Sequence, residues 1–404
     1  MGVYPVMETW GIEFVKGVGQ AFLNPVLYWW MILSLFAGWK RIREERNLFG
    51  IKIFDVFSEW KKTWLMSAIF GLLISLVTLG VGIVFTWETI LLLNIIVILL
   101  SVTLRFTLLS PSYTIGITFL LLLFSPFILE SQSLFPGDLF EDINFQGLSI
   151  LLGMFLFAEA FLTRRVKRGE TFPGLQIGER GEWIGVHHIR KLSLIPFFTL
   201  VPAGAITSFA PFWPSFSIGG ESYSILLVPF MIGFDHLSRG SNPNGSAKKM
   251  GNAICLLALV VLMTAAGSVY ITWLSLAGVL IAILGRELIN GLYRVKDKQR
   301  PPYFYNQKQG ISVLAVIPGS PADRIGIRPG EIIKKVNGNF IVDEAAFYHN
   351  LQTGGAFFKL EVIDDDGEMR IEQSALYEGE HHELGIIFVK EPHRFQMQRY
   401  VRQG

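Results

Sequence analysis

Residues that could carry out catalysis are few in this chain, and their spacing does not suit it. A zinc protease helix needs two histidines four residues apart with a glutamate after the first, which places two imidazoles and a general base on one face. His187-His188 is followed by isoleucine and arginine, and His381-His382-Glu383 has no later histidine at that spacing. The apolar segments also lack a Gly-x-Ser-x-Gly nucleophile turn. We therefore expect no enzyme, no bound metal and no cofactor.

One tetrapeptide needs separate treatment. Asn242-Pro243-Asn244-Gly245 resembles the Asn-Pro-Asp-Gly motif of intramembrane metalloproteases, but it lacks the aspartate ligand and lies in a polar segment. We interpret it as a turn.

Cys255 is the single cysteine of the chain, so it cannot form an intramolecular disulfide. It lies within an apolar run and is typical of a small buried side chain.

The segments that must position any site are mostly apolar. Hydrophobic residues make up 51% of the chain and charged residues 17%, with a mean hydropathy of +0.44, whereas soluble domains carry about 25% charged residues. No basic stripe is interleaved with aromatics on a polar segment, so nucleic acid is not an expected partner. Since a helix needs about 20 apolar residues to cross the hydrocarbon core, we predict eight or nine helical spans, near 18–38, 64–86, 88–106, 112–130, 147–163, 192–213, 222–236, 252–272 and 273–290.

Lysines and arginines predict the orientation, because they concentrate in short cytoplasmic loops. Basic loops lie at 39–62, 164–191, 239–249 and 294–300, whereas the intervening loops hold Asp138, Glu141 and Asp142, or only Glu221. With nine spans the four basic loops share one side, which predicts a cytoplasmic C-terminus and an external N-terminus. If the first apolar block forms a hairpin or lies in the interface, the N-terminus returns to the cytoplasm.

Ionisable residues within the predicted spans do not suggest an ion pathway. All of them fall near predicted span ends, with Arg286 and Glu287 in the last turns of the final span: Arg105, Glu159, Asp235, Arg286 and Glu287. Prolines at 126, 196, 202 and 229 are interpreted as residues that membrane helices tolerate, with broken helices at a transport site as the alternative.

Residues 310–390 differ in pattern and predict a small α+β domain. A strand from Ile311 is followed by a helix with Ser320 as its N-cap, and Asn337-Gly338 predicts a hairpin before a second helix capped by Asp343. Together these segments resemble a bacterial PDZ domain, on the residues Gly310-Ile311-Ser312-Val313, Pro318-Gly319-Ser320-Pro321-Ala322, Gly326-Ile327-Arg328-Pro329-Gly330-Glu331-Ile332-Ile333 and Val336-Asn337-Gly338.

The PDZ resemblance implies peptide binding by addition of a strand to a sheet edge. The apolar-Gly-apolar triplet of the carboxylate-binding loop is matched by Leu384-Gly385-Ile386, at the C-terminal end, as in circularly permuted bacterial PDZ domains. An ordinary edge strand with a glycine bulge is the alternative. The predicted peptide-binding residues are Leu384, Gly385, Ile386, Ile387 and Phe388 on the loop and strand, with Phe347, Asn350 and Leu351 on the helical wall.

The whole layout is a polytopic helical membrane domain over 1–290, an extended basic juxtamembrane linker over 291–309, the PDZ domain over 310–390 and a tail over 391–404. This layout resembles the MinJ family of cell-division topological determinants. The resemblance implies a membrane adaptor at division septa and poles that links DivIVA to MinD and has no catalytic residues. Cytoplasmic proteins or peptides and membrane lipids are the expected partners. A transporter or lipid-handling protein with a regulatory PDZ domain is the alternative, which a buried charged pair at mid-membrane would favour. An inactive relative of PDZ-bearing membrane proteases is a third possibility.

Overall fold

The computed structural model describes residues 3–129, 142–208, 210, 213–216, 222–305, 310–355, 357–375 and 384–390. Several residues used above lie outside this part of the chain: Asp138, Glu141, Glu221, His381, His382, Glu383 and the tail over 391–404.

Within the described residues up to 298 there are eight long helices: α1 Val3–Ala21, α2 Pro25–Phe49, α3 Trp64–Val81, α4 Trp87–Val102, α5 Pro111–Leu129, α6 Phe145–Arg164, α7 Pro243–Gly267 and α8 Leu274–Lys298. Among the described residues, four helices are long and apolar enough to cross a membrane: α3, α6, α7 and α8. The α1–α2 pair, bent by 42°, could supply a fifth span, while α4 and α5 are shorter apolar helices.

The prediction of eight or nine helical spans is wrong, because two of the apolar segments are strands. A three-stranded antiparallel sheet in the order β1-β2-β3 consists of β1 Phe172–Ile177, β2 Trp183–Thr207 and β3 Ser222–Ser238. The segments 192–213 and 222–236 lie largely in β2 and β3. Over 192–201 and 223–234 nearly all residues of these strands are buried or half-buried. Both stretches are therefore mostly apolar and lack the alternation that distinguishes a half-exposed strand from a buried helix. Pro196 and Pro229 are paired across the two strands.

Helix α3 covers β2 with a stripe of small and hydroxyl-bearing side chains. A Cβ atom on Gly71 would lie 2.1 Å from the carbonyl oxygen of Pro196, so helix and strand backbones are in direct contact. The Ser75 hydroxyl accepts a hydrogen bond from the Phe198 N–H at 2.8 Å, and the Thr78 hydroxyl donates to the Phe198 carbonyl. Non-helical backbone at membrane depth must find such partners in protein. The stripe therefore lets a β-strand lie beside a membrane-spanning helix.

The α3–β2 contact can be tested with two alanine substitutions in one helix. Gly71→Ala should destabilise the protein by about 1–3 kcal/mol, because the new methyl group forces the backbones apart. Gly80→Ala has open space around the new Cβ, and should be neutral or stabilising by up to about 1 kcal/mol. Thermal unfolding in detergent measures both. Equal effects of the two substitutions would contradict the contact.

A buried ion pair joins α6 to α8. Arg286 Nη2 lies 2.5 Å from Glu159 Oε1, both side chains are fully buried, and Ser110 donates to the other Glu159 oxygen at 2.6 Å. Arg286 lies midway along α8, since that helix continues to Lys298, and so the prediction that it lies in the last turns is wrong. Glu159 lies five residues before Arg164, the last residue of α6, which is about 7.5 Å at 1.5 Å per residue.

The C-terminal domain contains the elements expected of a PDZ domain: β4 Ile311–Val316, α9 Pro321–Arg324, β5 Ile332–Val336, β6 Asn339–Phe340, α10 Glu344–Thr353, β7 Phe357–Ile363, β8 Met369–Ala375 and β9 Ile386–Phe388. The sheet order is β8-β7-β5-β4-β9, with β6 beside β5. The predicted caps are confirmed, since Ser320 accepts from the Asp323 N–H and Asp343 from the Ala346 N–H.

Two local predictions between the domains are wrong. The linker expected to be extended from residue 291 begins as the last turns of α8, which end at Lys298. The tetrapeptide interpreted as a turn is the start of α7, with Asn242 as N-cap and Pro243 in the first turn. Proline is favoured there because the first helical N–H has no intrahelical partner.

Candidate functional site

The peptide groove that the PDZ resemblance predicts would lie between β9 and α10, which are neighbours in the structure. Strand β9 is at the end of the sheet, and β4 is its only partner among the described strands. The Phe347 ring of α10 packs on Phe388 of β9 with 5.1 Å between centroids. Lys390 Nζ, just after β9, lies 3.1 Å from the carboxylate of Glu344 in the first turn of α10. An unpaired strand edge beside a helix is the geometry by which PDZ domains bind an added peptide strand.

The loop before β9 is fixed by its own carbonyl groups. The Leu384 carbonyl accepts from the Ala322 N–H at 3.0 Å, and the Gly385 carbonyl accepts from the Ile317 N–H at 2.8 Å. In a trans peptide the carbonyl and the next N–H point in opposite directions, so the N–H groups of Gly385 and Ile386 point away from these partners. Adjacent N–H groups aimed outward can hold a carboxylate.

Glycine is required at position 385 for two reasons. Its φ of +78° is in the left-handed region, and an added Cβ would lie 2.3 Å from the Cβ of Ser320. The loop therefore rests directly on the start of α9. A bulky residue here would disturb the loop itself, and substitution of Gly385 cannot serve as a clean test of the groove.

The structure brings most of the predicted site residues together. Loop and strand residues 384–388 are contiguous, and Phe347 contacts them, while Leu351 is buried in the domain core. Asn350 lies elsewhere: its side-chain oxygen accepts from Asn339 at 3.0 Å, and its carbonyl accepts from Asn337 at 2.8 Å, so it faces the β5–β6 hairpin. Two further residues of α10, Glu344 and Tyr348, were not among the predicted site residues. They are one helical turn apart on the side that bears the Lys390 ion pair.

The opposite face of β9 packs against the membrane domain. Ile387 and Val389 join Leu314 and Phe304 in one apolar cluster with a docking platform formed by residues of α2, the following loop and β1: Leu48, Phe49, Ile53, Phe54, Phe172 and Leu175. Alternation along β9 therefore directs Ile386 and Phe388 into the PDZ core, and Ile387 and Val389 onto the platform.

Gly185 and His187 of β2 complete this docking interface. A Cβ on Gly185 would lie 2.4 Å from Cδ1 of Leu314, and the Gly185 N–H donates to the Phe304 carbonyl at 2.9 Å. The His187 ring stacks on Phe304 at 4.5 Å. Its Nε2 lies 2.8 Å from the Leu314 carbonyl, which only accepts, so Nε2 carries the hydrogen and Nδ1 faces the Thr171 hydroxyl at 2.8 Å. His187, tested in the sequence only as a zinc ligand, holds the two domains together.

Comparison with known proteins agrees with this architecture. Residues 312–348 match a family model described as "PDZ domain". The chain is 35% identical over 385 residues to the cell division topological determinant MinJ of Bacillus subtilis (strain 168), which covers 95% of this chain and 96% of that protein. The chain belongs to the MinJ family. It is also 22% identical over 292 residues to a probable MinJ of Lacticaseibacillus paracasei, across 68% of this chain and 77% of that protein.

A protease-like relative matches only a short part of the chain. The putative protease Do-like 14 of Arabidopsis thaliana is 38% identical over 55 residues, which is 14% of this chain and 13% of that protein. The MinJ relatives, which match most of the chain, are named for cell division and not for an enzyme activity. MinJ family membership and the apolar helices together make this a membrane protein involved in cell division.

Docking of the PDZ domain should weaken in mild acid. Burial lowers the pKa of His187 to about 4, against about 6.5 for a solvated histidine. Between pH 4 and 6.5, His187 therefore binds a proton when the PDZ domain is undocked but stays neutral when it is docked. The docking constant should therefore be unchanged above pH 7 and fall by up to about tenfold per pH unit from 6.5 towards 4.

Hydrogen exchange of β4 and β9 in the full chain measures this docking. Gly185→Leu, which obstructs Leu314, should give high exchange at every pH and mark the undocked state. His187→Phe should remove the acid dependence because it retains the ring packing without a titrating nitrogen. Acid-dependent exchange that persists in His187→Phe would contradict the assignment.

Proposed function

We propose that this MinJ family protein is a membrane-anchored adaptor that recruits cytoplasmic division-site proteins through its PDZ groove and helps to control septum placement. The observation that carries the proposal is the edge of β9 that has no partner among the described strands. This edge lies beside α10, while one face of β9 rests on the docking platform. Proteins of the DivIVA and MinD type are the proposed partners. The protein would be enriched at division septa and poles.

Binding would proceed by strand addition to β9. The outward N–H groups of Gly385 and Ile386 would receive a terminal carboxylate, and α10 would form the second wall. Because β9 is held on the platform, the groove stays next to the membrane. Confinement to that surface raises the effective concentration of bound partners, so a modest groove affinity can be sufficient.

The charge distribution supports a cytoplasmic groove. All four candidate spans have lysines or arginines at the end that faces the PDZ domain: Lys61 and Lys62 before α3, Arg164 and Arg165 at the end of α6, Lys248 and Lys249 in the second turn of α7, and Lys296 and Lys298 at the end of α8. The positive-inside tendency places such ends in the cytoplasm. We propose this orientation for the C-terminus.

Neighbouring residues of α10 provide a matched test of the groove. Tyr348 lies one turn from Glu344 on the β9 side, whereas His349 is exposed. Tyr348→Lys should reduce recovery of DivIVA- and MinD-type proteins from membranes by at least tenfold, because it places a flexible cation in the peptide wall. His349→Lys adds the same charge outside the groove and should leave recovery unchanged. Equal recovery by both variants, with unchanged melting temperatures, would rule out this groove.

The location of the protein tests the adaptor role separately. A fluorescent fusion of the wild type should accumulate at septa, and Tyr348→Lys should lower this accumulation. Uniform membrane fluorescence of the wild type throughout the cell cycle would contradict the proposal.

Transport or lipid handling is a second candidate that one observation favours. Nε and Nη1 of Arg286 are buried and have no acceptor among the described residues, although Nη2 is paired with Glu159. A small ligand with acceptor atoms could occupy such a position. The relatives that match most of the chain are named for cell division, and we therefore place this candidate second.

Paired leucine substitutions distinguish the two candidates. Breaking a buried pair from one side costs about 3–5 kcal/mol, whereas replacing both partners by apolar residues is often neutral. We expect Glu159→Leu alone to destabilise the protein, and the double variant with Arg286→Leu to recover stability together with septal accumulation. A stable double variant that has lost its role in division would favour the transport candidate.

A further inference from the structure

A cavity of about 1060 Å³ lies between the membrane helices and the PDZ domain. On the membrane side it is lined by the loop between α2 and α3, the end of α6 and the following segment, and the start of α7. On the PDZ side it is lined by the end of β4 and by the turn after α9. It is separate from the peptide groove, since no residue of β9 or α10 lines it.

The lining of this cavity is strongly basic. Three lining residues are acidic, Asp55, Glu170 and Asp323, and ten are lysine or arginine: Lys52, Lys61, Lys62, Arg164, Arg165, Lys167, Arg168, Lys191, Lys248 and Arg328. Such an excess of one sign in a concave site concentrates ions of the opposite sign. An anionic occupant is therefore expected.

The acidic residues are already engaged with nearby groups. Asp55 lies 3.0 Å from Lys52, Glu170 lies 3.3 Å from Lys62 and 3.6 Å from Lys191, and Asp323 accepts from the Gly319 N–H at 2.8 Å. In the described part of the chain, six of the lining cations have no carboxylate within 4 Å: Lys61, Arg164, Arg165, Lys167, Lys248 and Arg328. These cations remain available to an external anion.

The height of the cavity favours a lipid. Lys62 precedes the start of α3 by two residues, Arg164 ends α6, and Asn244 is in the first turn of α7. The ends of three candidate spans thus meet at the cavity, at the level where phospholipid headgroups lie. Apolar side chains, among them Phe54 and Val166, line the same space. Basic pockets at the cytoplasmic ends of membrane helices commonly bind anionic headgroups.

We propose that this cavity binds the phosphate group of an anionic phospholipid. Arg164, Lys167 and Lys248 supply charge from the membrane side, and Arg328 supplies it from the PDZ domain. A headgroup between them would neutralise cations that otherwise repel one another. It would thereby strengthen the attachment of the PDZ domain to the docking platform. A soluble phosphate ester has the same recognition chemistry, so the two sources must be distinguished by experiment.

The test uses the full chain in detergent and compares two variants of equal charge. Arg164→Gln, Lys167→Gln and Lys248→Gln combined remove three cations from the cavity. Lys249→Gln, Lys296→Gln and Lys298→Gln combined remove three exposed lysines from the same end of the helices but outside the cavity. Binding is followed by native mass spectrometry and thermal shift with phosphatidylglycerol, cardiolipin, phosphatidylcholine and glycerol phosphate.

Acidic phospholipids should bind the wild type and raise its melting temperature, whereas phosphatidylcholine should not. The cavity variant should lose at least tenfold in affinity and retain its ligand-free melting temperature, and the control should stay within twofold of the wild type. Equal losses in both variants would show general charge attraction and overturn the site, as would no loss in either. If glycerol phosphate alone gave the full rise in melting temperature and lipid added nothing, the cavity would bind a phosphate group. The ligand would then be a soluble phosphate ester, and the proposal of a lipid would be overturned.

Discussion

A single buried guanidinium organises the end of the molecule where the PDZ domain is attached. Arg41 of α2 is 3% exposed, and its nitrogens lie 2.7 Å from Glu59 and 2.6 Å from Glu45. The second Glu45 oxygen accepts from the N–H groups of Ile53 and Phe54, at 2.8 and 3.2 Å. Buried charges persist only with such complete pairing. The interaction ties the loop after α2 into one rigid shape.

That loop serves two surfaces at once. Ile53 and Phe54 belong to the docking platform under β9, while Lys52, Lys61 and Lys62 line the basic cavity. The Phe172 ring of β1 lies 4.6 Å from the Arg41 guanidinium, so the same residue also fixes the sheet beside the platform. Groove position and cavity shape therefore depend on one set of buried contacts. The affinity of the cavity for its occupant and that of the groove for a peptide would therefore both depend on whether the PDZ domain is docked.

The PDZ domain could be predicted in detail because its signals are local. Ser320 and Asp343 cap the helices that follow them, and the positive φ angles of Asn337 and Gly338 match the turn that their sequence favours. The docking interface could not be predicted, because it joins residues far apart in sequence. His187 and Leu314 have no common pattern, and Phe304 was assigned to an extended linker although it is fully buried.

In the membrane domain, hydropathy correctly indicated which segments are buried. It did not indicate whether those segments are helices or strands. An apolar run such as 222–236 satisfies the requirements of a buried strand as well as those of a membrane helix, and only its partner decides between them. The deciding signal lies in another helix: Ser67, Gly71, Ser75 and Thr78 form one stripe along α3, and each contacts β2 backbone or its hydroxyl groups. Small and hydroxyl residues at such spacing are also typical of helix–helix contacts in membranes, so the stripe alone does not identify its partner.

The α3–β2 contact also bears on which function the membrane domain can support. Strand β2 starts at the docking interface with Gly185 and His187 and continues to Leu200, which pairs with Val84 beyond the far end of α3. Its backbone is bonded to β3 along most of this length and to α3 at Phe198. Alternating access requires one part of a transporter to move against another. Movement of α3 against the sheet would leave strand backbone unpaired at membrane depth, which is costly. A continuous sheet of this kind therefore suits a rigid scaffold that holds the PDZ domain at the membrane surface.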